Sequence, residues 1–134
     1  SGEESVGCMM DAWAYAQAMQ GNPDHDDVKT IGRLIEPIVN RDGYRRYNVR
    51  VGSNVKVNWE RVPDLMVDLL GAVEKYTPAE WFREYEEIHP FGDGNGRSGL
   101  VLFNYLGDTL DDPEWAPDFW HDPRRRPGWG APVL

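Results

Sequence analysis

A single cysteine, Cys8, stands in 134 residues, so no internal disulfide can staple the chain and packing must hold it. No stretch approaches the roughly 20 consecutive apolar residues of a membrane-spanning helix. Basic residues are scarce: 14 Lys and Arg face 23 Asp and Glu, a formal charge of -9. A surface for nucleic acid or an anionic membrane needs clustered cations, and only Arg124, Arg125 and Arg126 form a run. Internal repeats and low-complexity tracts are absent too. No nucleic acid and no membrane are therefore expected as partners. A hydrophobic content of 40% with six tryptophans predicts one domain, residues 1–134, large enough for a core. The lone thiol fits a reducing cytoplasm, the chain's own or that of a host cell into which it is delivered. Ser1-Gly2 reads as a cloning remnant, which would leave native residues missing before it.

Helical patterns dominate. Residues 8–20 are rich in good helix formers and stop at Gly21-Asn22-Pro23, with Met9, Trp13, Ala16 and Met19 or Gln20 forming a stripe at helical spacing. Asp24-His25-Asp26-Asp27 resembles a metal cluster but suits the positive end of a helix better. The helix over 28–40 carries Val28, Ile31, Leu34, Ile35 and Ile38, and Pro37 should kink it or end it early. A third helix opens at Val62-Pro63 with Leu65, Met66, Leu69, Leu70 and Val73 on one face. Thr77-Pro78 with Glu80 makes a capping box for a fourth, 78–88. Between the second and third, Tyr47 to Trp59 alternates apolar and polar around Gly52-Ser53-Asn54, which predicts a hairpin with one buried face. An exposed edge on such a hairpin can capture an extended peptide by strand addition. Half of the prolines and tryptophans fall in 111–134, where a short helix is expected near 114–120. Trp115, Phe119, Trp120 and Trp129 are expected to patch the core, and His121 has no assigned role.

The chemistry concentrates in His89-Pro90-Phe91-Gly92-Asp93-Gly94-Asn95-Gly96-Arg97. Pro90 disfavours the α conformation at His89, so the fourth helix should end there and present the imidazole as a base. Phe91 is expected to anchor the loop in the core. Asp93 offers a carboxylate for Mg2+, and Gly94-Asn95-Gly96 can take positive φ and aim backbone N–H groups at an anion. Arg97 can fork two hydrogen bonds to phosphate beside the start of the next helix, an apolar one over 99–106. A plain turn followed by a buried strand, Leu100 to Phe103, reads the same residues equally well. An EF-hand does not: counting from Asp93 puts Arg97 fifth and Asn104 twelfth, where oxygen ligands of a carboxylate kind are needed. Glu84, Glu86 and Glu87 near His89 are either a solvated face or a device that raises its affinity for protons.

The segment from Ile88 to Arg97 resembles the signature of Fic (filamentation induced by cAMP) proteins, His-Pro-Phe-x-Asp/Glu-Gly-Asn-Gly-Arg-x-x-Arg, matching all but the last position. Gly43-Tyr44-Arg45, Val49-Arg50-Val51-Gly52 and Val62-Pro63 with Leu65-Met66 resemble the family's flap and following helix, so the likeness covers about 28–106. It implies a mostly α bundle with a β-hairpin flap over the active-site loop, and 111–134 as an extension. It further implies transfer of AMP from Mg-ATP to a Ser, Thr or Tyr hydroxyl of a target protein. The resemblance makes His89 the base, Asp93 the Mg2+ ligand, and Gly94, Asn95, Gly96 and Arg97 the phosphate site. Val49, Arg50, Val51 and Gly52 become the target-docking flap.

Leu100 stands where the family's second arginine holds the outer phosphates of ATP. Doc toxins also lack that arginine, but carry lysine where this chain has Gly96, which argues against their inverted nucleotide and phosphate transfer. The alternatives implied are a compensating cation (Arg45, Arg46 or the run Arg124 to Arg126), a different donor for UMP or phosphocholine transfer, or a nucleotide-binding module without turnover. The family's inhibitory Ser/Thr-x-x-x-Glu-Gly/Asn motif is absent, leaving a separate inhibitor or antitoxin protein, a segment outside this chain, or none.

Overall fold

Local chemistry sets the helix boundaries in the computed structural model, which describes residues 2–116. Helix α1 spans Gly2–Ala18, beginning earlier than expected and ending ahead of the Gly-Asn-Pro breaker. Helix α2 spans His25–Ile35, and the acidic cluster before it proves to be a capping box: Asp24 Oδ1 accepts from Asp27 N–H at 2.8 Å while Asp27 Oδ2 accepts from Asp24 N–H at 3.1 Å. It stops at Ile35 rather than Asn40 because Pro37 drives Glu36 out of helical geometry, to φ -133° and ψ 82°. Helices α3 (Val62–Leu70) and α4 (Pro78–Ile88) start at the expected prolines, and Thr77 with Glu80 closes the second capping box. Helix α5 spans Asn95–Leu106, so the strand reading of Leu100 to Phe103 is excluded. Among the described residues no helix is long and apolar enough to cross a membrane.

The bundle places α5 at its centre, packed on α1, α2 and α4, with α3 behind α4. Val101 and Leu102 of α5 meet Val28 and Ile31 of α2 and Tyr85 of α4 in one core, every one of them fully buried. Trp81 stacks on Tyr85 with centroids 5.5 Å apart and donates its indole N–H to the Leu69 carbonyl, fixing α4 against α3. Tyr85 and Ser98, both sealed from solvent, bridge hydroxyls at 2.6 Å and lock α4 to α5 in register. The two helices that flank the loop from His89 to Gly94 are thereby held on both sides.

The flap is smaller than its alternation promised. Strand β1 is Arg50–Val51 and strand β2 is Asn54–Val55, antiparallel, with Arg50 opposite Val55 and Val51 opposite Asn54. The expected buried face forms only in part: Val57 packs against the core, but Tyr47 is 50% and Val55 67% exposed, and a 3-10 turn, Trp59–Arg61, replaces the last of the second strand. The buried side chain is the interleaved Lys56. Trp115 is likewise no core patch, at 86% exposure. Asn104, fully buried on α5, holds the backbone of Glu114 by two hydrogen bonds and keeps that stretch on the surface. Glu114, Trp115 and Ala116 form no helix, and the rest of the expected element lies outside the described residues, as do Phe119, Trp120, His121, Arg124 to Arg126 and Trp129.

Candidate active site

Helix α4 ends at His89, which turns to a left-handed φ of 53° and ψ of 65°. A non-glycine residue holds this conformation only when its surroundings over-determine it. Its N–H donates to the Tyr85 carbonyl at 2.9 Å, and its carbonyl accepts from Arg45 Nε at 2.7 Å. The other Arg45 nitrogens donate to the carbonyls of Tyr47 (3.0 Å), Val57 (2.7 Å) and Ile88 (3.2 Å). A cation there satisfies the last carbonyls of α4 and opposes its dipole. Arg45 therefore ties both legs of the flap to His89; its guanidinium is occupied by backbone and does not line the cavity described below.

The loop closes on itself. Phe91 is fully buried against Tyr44. Asn95 Oδ1 accepts from Phe91 N–H at 2.8 Å, and Asn95 Nδ2 donates to the Phe91 carbonyl at 2.9 Å. The Asn95 side chain is thus a loop clasp, and any contact it makes with an anion must come from its backbone N–H. Of the three residues expected to reach positive φ, only Gly94 does, at 74°; Asn95 and Gly96 are already helical. A β-carbon on Gly94 would stand 2.9 Å from Ile35 Cγ2, so glycine is required for space as well as for φ. The N–H groups of Asn95, Gly96 and Arg97 open α5 and have no acceptor among the described residues. The cradle is a helix N-terminus rather than a strained loop, and it suits an anion through both its donors and its dipole.

Asp93 is exposed beside it. Its Oδ1 accepts from Gly94 N–H at 2.7 Å, and its carbonyl is held by Asn40 Nδ2 at 2.9 Å. Among the described residues no three His, Cys, Asp or Glu side chains gather as a metal cage. A single carboxylate next to a phosphate cradle still fits Mg2+, which takes one or two carboxylates and completes its shell with phosphate oxygens and water. Arg97 Nη2 pairs with Glu36 Oε1 at 2.7 Å, both side chains about one-third exposed.

A cavity of about 450 Å³ joins these groups. His89, Asp93 and Gly94 to Arg97 line it, with Leu100 beyond Arg97 and Trp115 at the rim. Of the expected docking segment only Val51 reaches its wall; Val49, Arg50 and Gly52 lie elsewhere on the flap. Lys56, which the sequence did not mark, also lines it, as does Glu86 from the acidic group near His89. Burial first, then the charges of Lys56 and Arg45, pushes the His89 imidazole down to about 4, against smaller upward pulls from the Glu86 carbonyl and Asp93. The carboxylates of α4 do not raise it. Glu84 and Glu87 are solvated, whereas Glu86 turns inward, and burial pushes its carboxyl up to about 7. His89 Nδ1 and Glu86 Oε1 are both buried without a hydrogen bond within the described residues.

Residues 22–107, which include the helix ending in His89, the clasped loop and α5, match the Fic/DOC family model. The chain belongs to the Fic/DOC family. Two solved structures share the fold: a Fic family protein from Desulfovibrio desulfuricans G20, 25% identical with a TM-score of 0.65, and a Fic domain containing signaling protein from Bacteroides thetaiotaomicron, 20% identical with a TM-score of 0.59. Each alignment covers 78% of this chain but only 36% and 46% of those proteins. This Fic chain thus spans less than half the length of either. No curated protein matches it. Membership suggests a Fic-type transferase, and the mostly α bundle with its small hairpin is the fold expected of one.

Proposed function

We propose that this Fic domain transfers AMP from Mg-ATP to a hydroxyl side chain of a target protein. The observation that carries the reading is the shared cavity: the imidazole of His89 and the free amides that open α5 line one space. The amides of Asn95, Gly96 and Arg97 receive the α-phosphate, and Arg97 faces the phosphates beyond it. Asp93 would hold Mg2+, which when bound neutralises phosphate charge.

His89 accepts the proton of the target hydroxyl as its oxygen bonds to the α-phosphorus; the bond from that phosphorus to the bridging oxygen breaks, and pyrophosphate leaves. With its proton affinity lowered to about 4, the imidazole is neutral at pH 7 and holds a free lone pair. Anionic phosphate beside Lys56 offsets one of the charges that depress it, strengthening the base when donor is bound. Val51 at the cavity wall ties the flap edge to the reacting centre, so a peptide added along β1 would bring its hydroxyl toward His89.

His89→Ala should bind Mg-ATP by calorimetry as the parent does, yet pass no α-phosphate label to lysate proteins. Labelling that persists in the variant removes His89 as the base. A second reading is favoured by Leu100, whose apolar side chain lines the cavity: the alcohol phosphate of a cytidine-linked donor would be transferred instead, with cytidine monophosphate as the less charged leaving group, and cytidine-donor labelling exceeding ATP labelling would select it.

A further inference from the structure

The cavity lining holds two cations, Lys56 and Arg97, and two acids, Asp93 and Glu86. Arg97 is already engaged by Glu36 at 2.7 Å, and Leu100 puts an apolar wall beyond it. Lys56 is different. It follows β2, its N–H donates to the Val49 carbonyl at 3.1 Å, and that bond across the flap turns its side chain inward to 9% exposure. Its ammonium has neither a hydrogen bond nor an ion pair among the described residues, and Lys56 lines the cavity. Its charge is felt by both His89 and Glu86. A lysine whose stem is buried while its ammonium makes no hydrogen bond is free to receive an anion that enters the cavity, and a phosphate oxygen gives it a charge-assisted hydrogen bond.

We infer that Lys56 is the binding residue for the outermost phosphate of an organic triphosphate donor, supplied by the flap to a cavity in which Leu100 offers no charge. The inference rests on the nucleotide-transfer reading above. It makes the flap a donor-binding element as well as a docking edge, because Lys56, immediately after β2, presents its ammonium to the phosphate chain. Glu86 lines the same cavity without forming an ion pair with Lys56, and a bound phosphate supplies the neutralising anion.

The test is a calorimetric titration of AMP, ADP and ATP, each with Mg2+, into the parent, Lys56→Met and Lys56→Arg, with thermal melts to show that all three are folded. Lys56→Met should leave AMP affinity unchanged and weaken ATP about tenfold, the scale of one charge-assisted hydrogen bond, and Lys56→Arg should restore most of it. An equal loss for all three nucleotides, or no loss, overturns the role of Lys56 while the transferase reading stands. A parent protein that binds none of them overturns the donor reading and this inference together.

Discussion

Replacing Arg45 with methionine keeps the apolar stem and removes the guanidinium, and its cost can be built from the contacts. Four carbonyls lose a donor: Tyr47, Val57, Ile88 and His89. The flap carbonyls, Tyr47 and Val57, lie near solvent and can be rehydrated. The two at the end of α4 are less accessible, and each buried acceptor left open costs about 1–3 kcal/mol. Relief of the desolvated guanidinium offsets part of this, so the net loss should be about 3 kcal/mol. That is a large share of the roughly 5–15 kcal/mol that stabilises a domain. Urea unfolding followed by tryptophan fluorescence should show the midpoint falling by about 1.5–2 M at a slope near 1.5–2 kcal/mol/M. Arg45→Lys should recover under a third, because an ammonium cannot reach four diverging carbonyls. A midpoint shift below about 0.3 M would refute the view that Arg45 clamps the flap to the catalytic helix.

Gly96 faces open space, with nothing within 4 Å of a built β-carbon. Gly96→Ala should therefore raise stability by about 0.5–1 kcal/mol, the helix-propensity gain, while the methyl group intrudes on the anion cradle and weakens ATP at least tenfold; calorimetry showing unchanged ATP affinity would place the phosphate elsewhere. His89 and Glu86 should make opposite contributions to stability against pH. His89 is held down to about 4, so the unfolded chain binds more protons between pH 4 and 6.5 and stability rises with pH there. Glu86 is held up to about 7, so the folded chain binds more protons between pH 4.5 and 7 and stability falls with pH. The two nearly cancel in the parent; Glu86→Gln should leave a rise of about 3 kcal/mol from pH 4.5 to 7, and a flat urea-midpoint profile in that variant would contradict the burial of both groups. Asn95→Ala should cost about 2–3 kcal/mol by opening both polar groups of Phe91, and protection of the Phe91 amide from hydrogen exchange should collapse with it.

The helix boundaries were legible because their causes are local. Thr77 with Glu80, Asp24 with Asp27, Pro63 at a first turn and Pro90 after His89 each act within four residues, and each element begins or ends where they direct. The signature from His89 to Arg97 was legible for the same reason, and it forms the floor of the cavity. What escaped depends on distance along the chain. Arg45 reaches His89 across 44 residues and Glu36 reaches Arg97 across 61, and nothing in composition or spacing marks such partners. Asn40 reads as turn chemistry, yet it is buried and holds the Asp93 carbonyl. The flap misled through its period: Val49, Val51, Val55 and Val57 alternate as a buried face would, but two residues per strand bury it only in part, and the polar Lys56 takes the interior. Glu86 was grouped with its acidic neighbours because helical position, not residue type, decides which of the three turns inward.

The nucleotidyl-transfer account is tested most directly by incubating the protein with Mg2+ and host-cell lysate, in parallel with ATP labelled on the α-phosphate and ATP labelled on the γ-phosphate. The account predicts protein-bound label from the α position alone. Label from the γ position alone would contradict it, and would mean that the cradle at Gly94 to Arg97 holds the donor reversed.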